Sequence, residues 1–312
     1  MNKIKMNSNT NITFDEAFDK FIRKCKVKNL TPKSIVSYQQ KIRPFREFVS
    51  EKGINFADIN ADTVDDFIVW IRDTRSANDI SINSYLRTVR AFTYYCMDNS
   101  YITNFKVHIP KATKKMKETY TDRELLILLK KPNKKECTFT EFKTWAFENF
   151  LLGTGVRLST ALDIKIKDIK FDDDLIFLGQ TKNRIQQYVP LSRSLAMILK
   201  EYLEVRGGTP NDYLFCNNFG NKANERTFQQ MVQNYNRERG IERSSIHAFR
   251  HTFARLYILN GGNAFILQKL MGHSDISITK EYVDLFGTDL AVGYDKLNPL
   301  DNLSNRGSYI KM

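Results

Sequence analysis

Apolar positions recur at helical spacing from residue 13 to about 105 and sort into four faces. After a polar leader at 1–12, Phe14, Phe18, Phe21, Ile22 and Cys25 share one side of a first amphipathic helix. Thr31 followed by Pro32 reads as a helix start, with threonine as the cap and proline at the first helical position. Ile35, Tyr38, Ile42, Phe45 and Val49 then form one face that ends at Gly53, and Pro44 inside that run predicts a kink. A third helix follows Asn60, with Val64, Phe67, Ile68 and Ile71 inward, and a fourth follows Asp79, with Ile82, Tyr85, Val89, Phe92 and Cys96 inward. Together they predict a helical domain over 13–108.

Periodicity then stops. Residues 109–118 carry four lysines against one glutamate and no apolar repeat, the pattern of a basic interdomain linker. A second domain over 119–286 opens with Thr121 and Glu124 in capping-box spacing ahead of Leu125, Leu128 and Leu129. A helix from about Glu141 buries Trp145, Phe147, Phe150 and Leu151 and stops at the Gly153–Gly155 turn, with Arg157 just beyond. Here the period changes. Leu175 to Leu178 and Gln187 to Leu191 read as two strands joined by a polar turn that holds Lys182, and Pro190 assigns the second strand to an edge. Tyr213 to Phe215 reads as a further short strand. The remaining helices are expected after Ser192, from Asn224 to Arg239, from about Ile246 to Asn260, from Ala264 to Met271, and from Ile276 to about Leu285, with Gly261, Gly262 and Gly272 at their ends. The fold class is therefore mainly α with a small antiparallel β-sheet. The tail at 287–312 spaces Leu290, Val292, Leu297, Leu300 and Leu303 in a polar setting.

Charge narrows the partners. The 312 residues carry a net charge of +13, and residues 111–135 alone hold nine Lys or Arg against three Asp or Glu. Such an excess favours a polyanion, whose condensed counterions are released on binding. No apolar run is long enough for a membrane span, and the N-terminus lacks the apolar core of a signal peptide, so no membrane partner and a cytoplasmic location are expected. The four cysteines are far apart, without a CxxC pair, and read as reduced, mostly buried thiols.

Candidate chemistry gathers near the C-terminal end, where three of the four histidines lie: His247, His251 and His273. His247 and Arg250 are three apart and share a helix face. His247 and His251 also have the four-residue spacing of a metal-binding helix, but no glutamate follows His247 and Arg250 would repel a cation. With Arg157 and Lys182 the pair makes an anion site instead, because two guanidiniums can each donate bidentate bonds to a phosphodiester. Alone, each of these residues would be unremarkable; the set is what points to phosphate chemistry. Tyr282, nine residues beyond His273, is then the candidate nucleophile among 14 tyrosines. A phenol needs nearby cations and a base to attack, and attack on a DNA phosphate would leave a covalent phosphotyrosine.

Four segments carry a resemblance: Thr154-Gly-Val-Arg-Leu-Ser159, His247-Ala-Phe-Arg-His-Thr-Phe253, Leu270-Met-Gly-His-Ser-Asp-Ile-Ser-Ile-Thr279 and Glu281-Tyr282. In order and spacing they look like the signature boxes of the tyrosine recombinase (phage integrase) family. The resemblance spans the second domain, and the first is similar to that family's SAM-like core-binding domain. It implies that Arg157 and Arg250 clamp the scissile phosphate and that Lys182, rather than the neighbouring Arg184, protonates the leaving 5′ oxygen. His247 would act as general base or acid, His273 would hydrogen-bond the phosphate, and Tyr282 would form the 3′-phosphotyrosine. It further implies double-stranded DNA as substrate, a homotetramer on two DNA sites, accessory DNA-bending or excisionase proteins, and no metal or cofactor. An arm-binding domain is not expected, and the tail resembles the segment that relatives dock on a neighbouring subunit. Integration or excision of a mobile element is the expected role. Chromosome dimer resolution, DNA inversion, a type IB topoisomerase and a non-catalytic DNA-binding regulator are the alternatives.

Overall fold

A computed structural model describes residues 12–112, 118–179 and 186–272. The chain divides into two compact units, Met1–Lys115 and Met116–Met312.

The first unit is made of α1 (Phe14–Val27), α2 (Pro32–Glu51), α3 (Ala61–Arg75) and α4 (Asp79–Asp98). Each begins on a side-chain cap, from Thr13, Thr31, Asn60 and Asn78 respectively, which satisfies backbone N–H groups that the first turn leaves open. At α1 the box closes reciprocally, and the backbone N–H of Thr13 donating to Glu16 holds that carboxyl below its ordinary range. Pro44 does not end α2; the helix runs through it, with the ring buried in the core. That core is aromatic. Phe45 meets Phe67 edge-on at 5.1 Å, Phe48 lies 5.7 Å from Phe67, and Phe92 gathers Phe14, Phe18 and Phe21 around it. Burying each such ring stabilises by roughly 1.5–3 kcal/mol. Beyond α4, Ile102 and Val107 return to this core, and Asn83 donates to the Pro110 carbonyl at 2.8 Å, which ties the start of the basic segment to α4.

The second unit contains α5 (Asp122–Leu128), α6 (Phe139–Thr154), α7 (Leu158–Asp163), β1 (Ile169–Lys170), β2 (Leu175–Leu178), β3 (Gln187–Pro190), α8 (Arg193–Arg206), α9 (Glu225–Glu238), α10 (Ile246–Leu259) and α11 (Ala264–Met271). Helix α6 is the hub. It packs against α8, α9 and α10, and buried residues surround it on nearly every side. The sheet is antiparallel in the order β1-β2-β3, with buried Ile176 opposite buried Val189. Strand β3 is an edge, where Pro190 leaves no ladder bond unmade.

Two features depart from expectation or add to it. Tyr213 to Phe215 is not a strand. Only single bridges form beside it, Lys165 to Tyr213 and Cys216 to Lys222, and side chains occupy its carbonyls: Arg206 donates to Tyr213 and Leu214, and the Tyr202 hydroxyl to Leu214. The two-residue β1 and the one-and-a-half-turn α7 are too short for periodicity to announce. The four cysteines are free thiols, three buried and Cys137 partly so. The expected helix from Ile276, residues 1–11 of the polar leader and the tail lie outside the described residues. Among the described residues, no helix is long and apolar enough to cross a membrane.

Candidate active site

The site is built where the carboxyl ends of α6 and α11 meet the first turns of α10. Helix α6 ends at Gly155, whose left-handed backbone (φ +61°) turns the chain sharply. A Cβ there would lie 2.2 Å from the Phe253 ring, so both conformation and space demand glycine. Two residues later, Arg157 is the N-cap of α7, which fixes its backbone at the mouth of the turn. Helix α10 supplies His247 and Arg250 on a common face. The third part is the carboxyl end of α11, which closes on Gly272, also left-handed (φ +60°).

Backbone carbonyls hold the two arginines. Arg250 is 5% exposed, and its Nη1 donates to the Gly155 carbonyl at 2.6 Å while its Nη2 donates to the Met271 carbonyl at 2.8 Å. Arg157 is half-buried and reaches the same Met271 carbonyl at 3.5 Å and that of Gly272 at 3.4 Å. Unsatisfied carbonyls at a helix C-terminus carry partial negative charge, so they are natural partners for guanidinium. Those bonds to backbone dipoles orient both guanidiniums. His247 sits at the edge of this pair with its ring accessible to solvent. Partial loss of water around the ring, then the charges of Arg250 and Arg157, hold its pKa below the ordinary histidine value. The imidazole is therefore neutral at neutral pH and able to accept a proton.

The structure thus brings together Arg157, His247 and Arg250. Lys182, Arg184, His273 and Tyr282 lie outside the described residues. One participant escaped the sequence reading. Gln187, at the start of β3, donates to the Leu270 carbonyl at 3.4 Å, and its amide stands 3.5 Å from where a Cβ on Gly272 would be. A lone glutamine in a strand carries no signal that would have marked it.

Comparison with known proteins agrees over both units. Residues 118–288 match the model of the phage integrase family, and residues 13–118 match the phage integrase SAM-like domain. The chain belongs to the phage integrase family. Its members are the tyrosine recombinases, enzymes that cut and rejoin DNA at specific sites. A probable integrase/recombinase of Acholeplasma phage L2 is 34% identical over 204 residues, 65% of this chain and 68% of that protein. Tyrosine recombinase XerD of Staphylococcus saprophyticus is 24% identical over 297 residues, 92% of this chain and 99% of that protein. The fold is similar to that of a chain in the crystal structure of a lambda integrase tetramer bound to a Holliday junction, at a TM-score of 0.69 and 18% identity over 88% of this chain and 78% of that one.

Proposed function

We propose that this chain is a site-specific recombinase that cleaves double-stranded DNA through Tyr282, in the cytoplasm, and integrates or excises a mobile element. The observation that carries the chemistry is the convergence of Arg157 and Arg250 on the Met271 carbonyl with neutral His247 beside them. The Tyr282 phenol oxygen attacks the scissile phosphorus as its proton passes to His247. The bond to the 5′ oxygen breaks, Lys182 protonates that oxygen, and a 3′-phosphotyrosine remains. Arg157 and Arg250, with His273, stabilise the added negative charge of the five-coordinate phosphorus, because preorganised donors act where charge develops. Attack by the 5′ hydroxyl of a second strand reverses the step and conserves the bond energy.

Two exchanges need four active subunits on two sites, and the tetrameric state of the lambda integrase neighbour supports that assembly. The phage relative, more alike in sequence than the XerD relative, favours a mobile element over dimer resolution. Domain limits of 13–108 and 119–286, a basic linker and a tail at 287–312 that packs on its own domain or docks on a neighbouring subunit complete the reading.

The test starts from a duplex selected by the full chain from a random-sequence pool, then nicked to trap the covalent complex. Wild type gives a protein–DNA band on a denaturing gel, in excess EDTA as well as without it. Tyr282→Phe binds the duplex and gives no such band. A band in the mutant, or its loss from wild type in EDTA, overturns the reading. Lys182→Ala slows cleavage, and a 5′-thio leaving group restores it; rescue of Arg184→Ala instead would move the acid to Arg184.

A further inference from the structure

The face of α10 opposite His247 and Arg250 is bound to the segment by which the chain enters the second unit. At 100° per residue, Phe249 and Thr252 fall on the far side of the helix from His247. The backbone N–H of Tyr120 donates to the Thr252 hydroxyl at 2.8 Å, and that hydroxyl donates onward to the Ala248 carbonyl at 2.7 Å. The Tyr120 ring packs on Phe249 with centroids 4.4 Å apart. Tyr120, Thr252 and Phe249 are all fully buried. Arg243, just ahead of α10, fastens the same segment from the other side, donating to the Thr119 carbonyl and to Glu124 at 3.0 Å.

We propose that Thr252 and Tyr120 are positioning residues for cleavage, a strap that sets the rotation and height of α10 and hence the placement of His247 and Arg250. The proposal rests on the catalytic reading of those two residues. A hydroxyl that accepts from one segment and donates into a helix has both of its partners defined, so it fixes the helix in azimuth as well as in distance. Arg250 bonds at 2.6 and 2.8 Å tolerate little displacement. Small misplacements of a catalytic group cost rate far more than they cost binding.

The experiment uses the full chain and the selected, nicked duplex. Thr252→Val keeps the shape and removes the hydroxyl. Its single-turnover cleavage rate should fall by about tenfold, the worth of roughly one hydrogen bond, with duplex affinity within about twofold of wild type. Thr252→Ser should restore the rate, and the NMR-titrated pKa of His247 should move in the valine variant and return in the serine one. Phe249→Leu, which loses the ring contact and keeps an apolar core, should show the same loss of rate without loss of affinity, and it decides the matter should the valine variant fail to melt cooperatively. Wild-type rates in the folded variants, equal defects in Val and Ser, or loss of affinity in step with rate would overturn the strap. Wild-type cleavage by His247→Ala and Arg250→Ala would overturn the catalytic reading instead. Slow cleavage by those two with normal cleavage by the strap variants would sink the strap alone.

Discussion

The two units bury different materials. Among the described residues, the first unit's core takes in four polar side chains, Thr63, Asn83, Thr88 and Thr93, none of them charged. The second unit's core takes in Lys143, Glu148 and Arg250, together with Asn236 and several threonines. Burying charge is unfavourable unless it is paired and hydrogen-bonded. Arg250 meets that condition through two carbonyls, and Lys143 through the Cys216 carbonyl at 3.2 Å and the faces of Phe139 and Phe228. Glu148 does not: neither carboxyl oxygen has a hydrogen-bond partner, and burial pushes its pKa well up despite Arg239. The first unit's core is packed with aromatic rings. The second holds buried charge, and Arg250 is kept in place there by backbone carbonyls at 2.6 and 2.8 Å.

Four variants probe that contrast. Arg250→Ala should have the largest effect, lowering single-turnover cleavage by about a thousandfold and lowering stability by a few kcal/mol, since the Gly155 and Met271 carbonyls each lose a guanidinium donor. Phe67→Ala should cost about 3–5 kcal/mol in denaturant unfolding of the first unit, with the His247 titration in the second unchanged. Glu148→Gln should raise the melting temperature, more at high pH than at low. The sign follows from the raised pKa: above the unfolded carboxyl's pKa the unfolded chain sheds a proton that the folded one retains, so wild-type stability falls as pH rises and the glutamine variant's does not. Thr13→Ala should have the smallest effect, about 1 kcal/mol, confined to the first unit.

The legible parts were those with local causes. Caps at Thr31, Asn60, Thr121 and Ser192 and the glycine stops at Gly155 and Gly272 depend on neighbours within four residues, and each stands where the pattern put it. Arg157, His247 and Arg250 read as part of a set for an anion site, and the structure brings those three together. What could not be read depends on distant backbone. The carbonyls of Gly155, Met271 and Gly272 that orient the arginines belong to residues with no telling side chain, and the contact of Tyr120 with Thr252 spans 132 positions. Lys143 and Glu148 look like the solvated side of α6, yet buried residues lie on nearly every side of that helix, so amphipathicity gives no warning. Tyr213 to Phe215 has strand composition, but its carbonyls are taken by Tyr202 and Arg206.

The central claim is that Arg157 and Arg250 serve the charge of the scissile phosphate. Replacing one nonbridging oxygen of that phosphate in the nicked duplex with a methyl group removes the charge while keeping the shape. In single-turnover cleavage, the account predicts that Arg250→Ala loses at least about a hundredfold of the wild-type preference for the charged phosphate over the methylphosphonate. An unchanged preference in the alanine variant would contradict it.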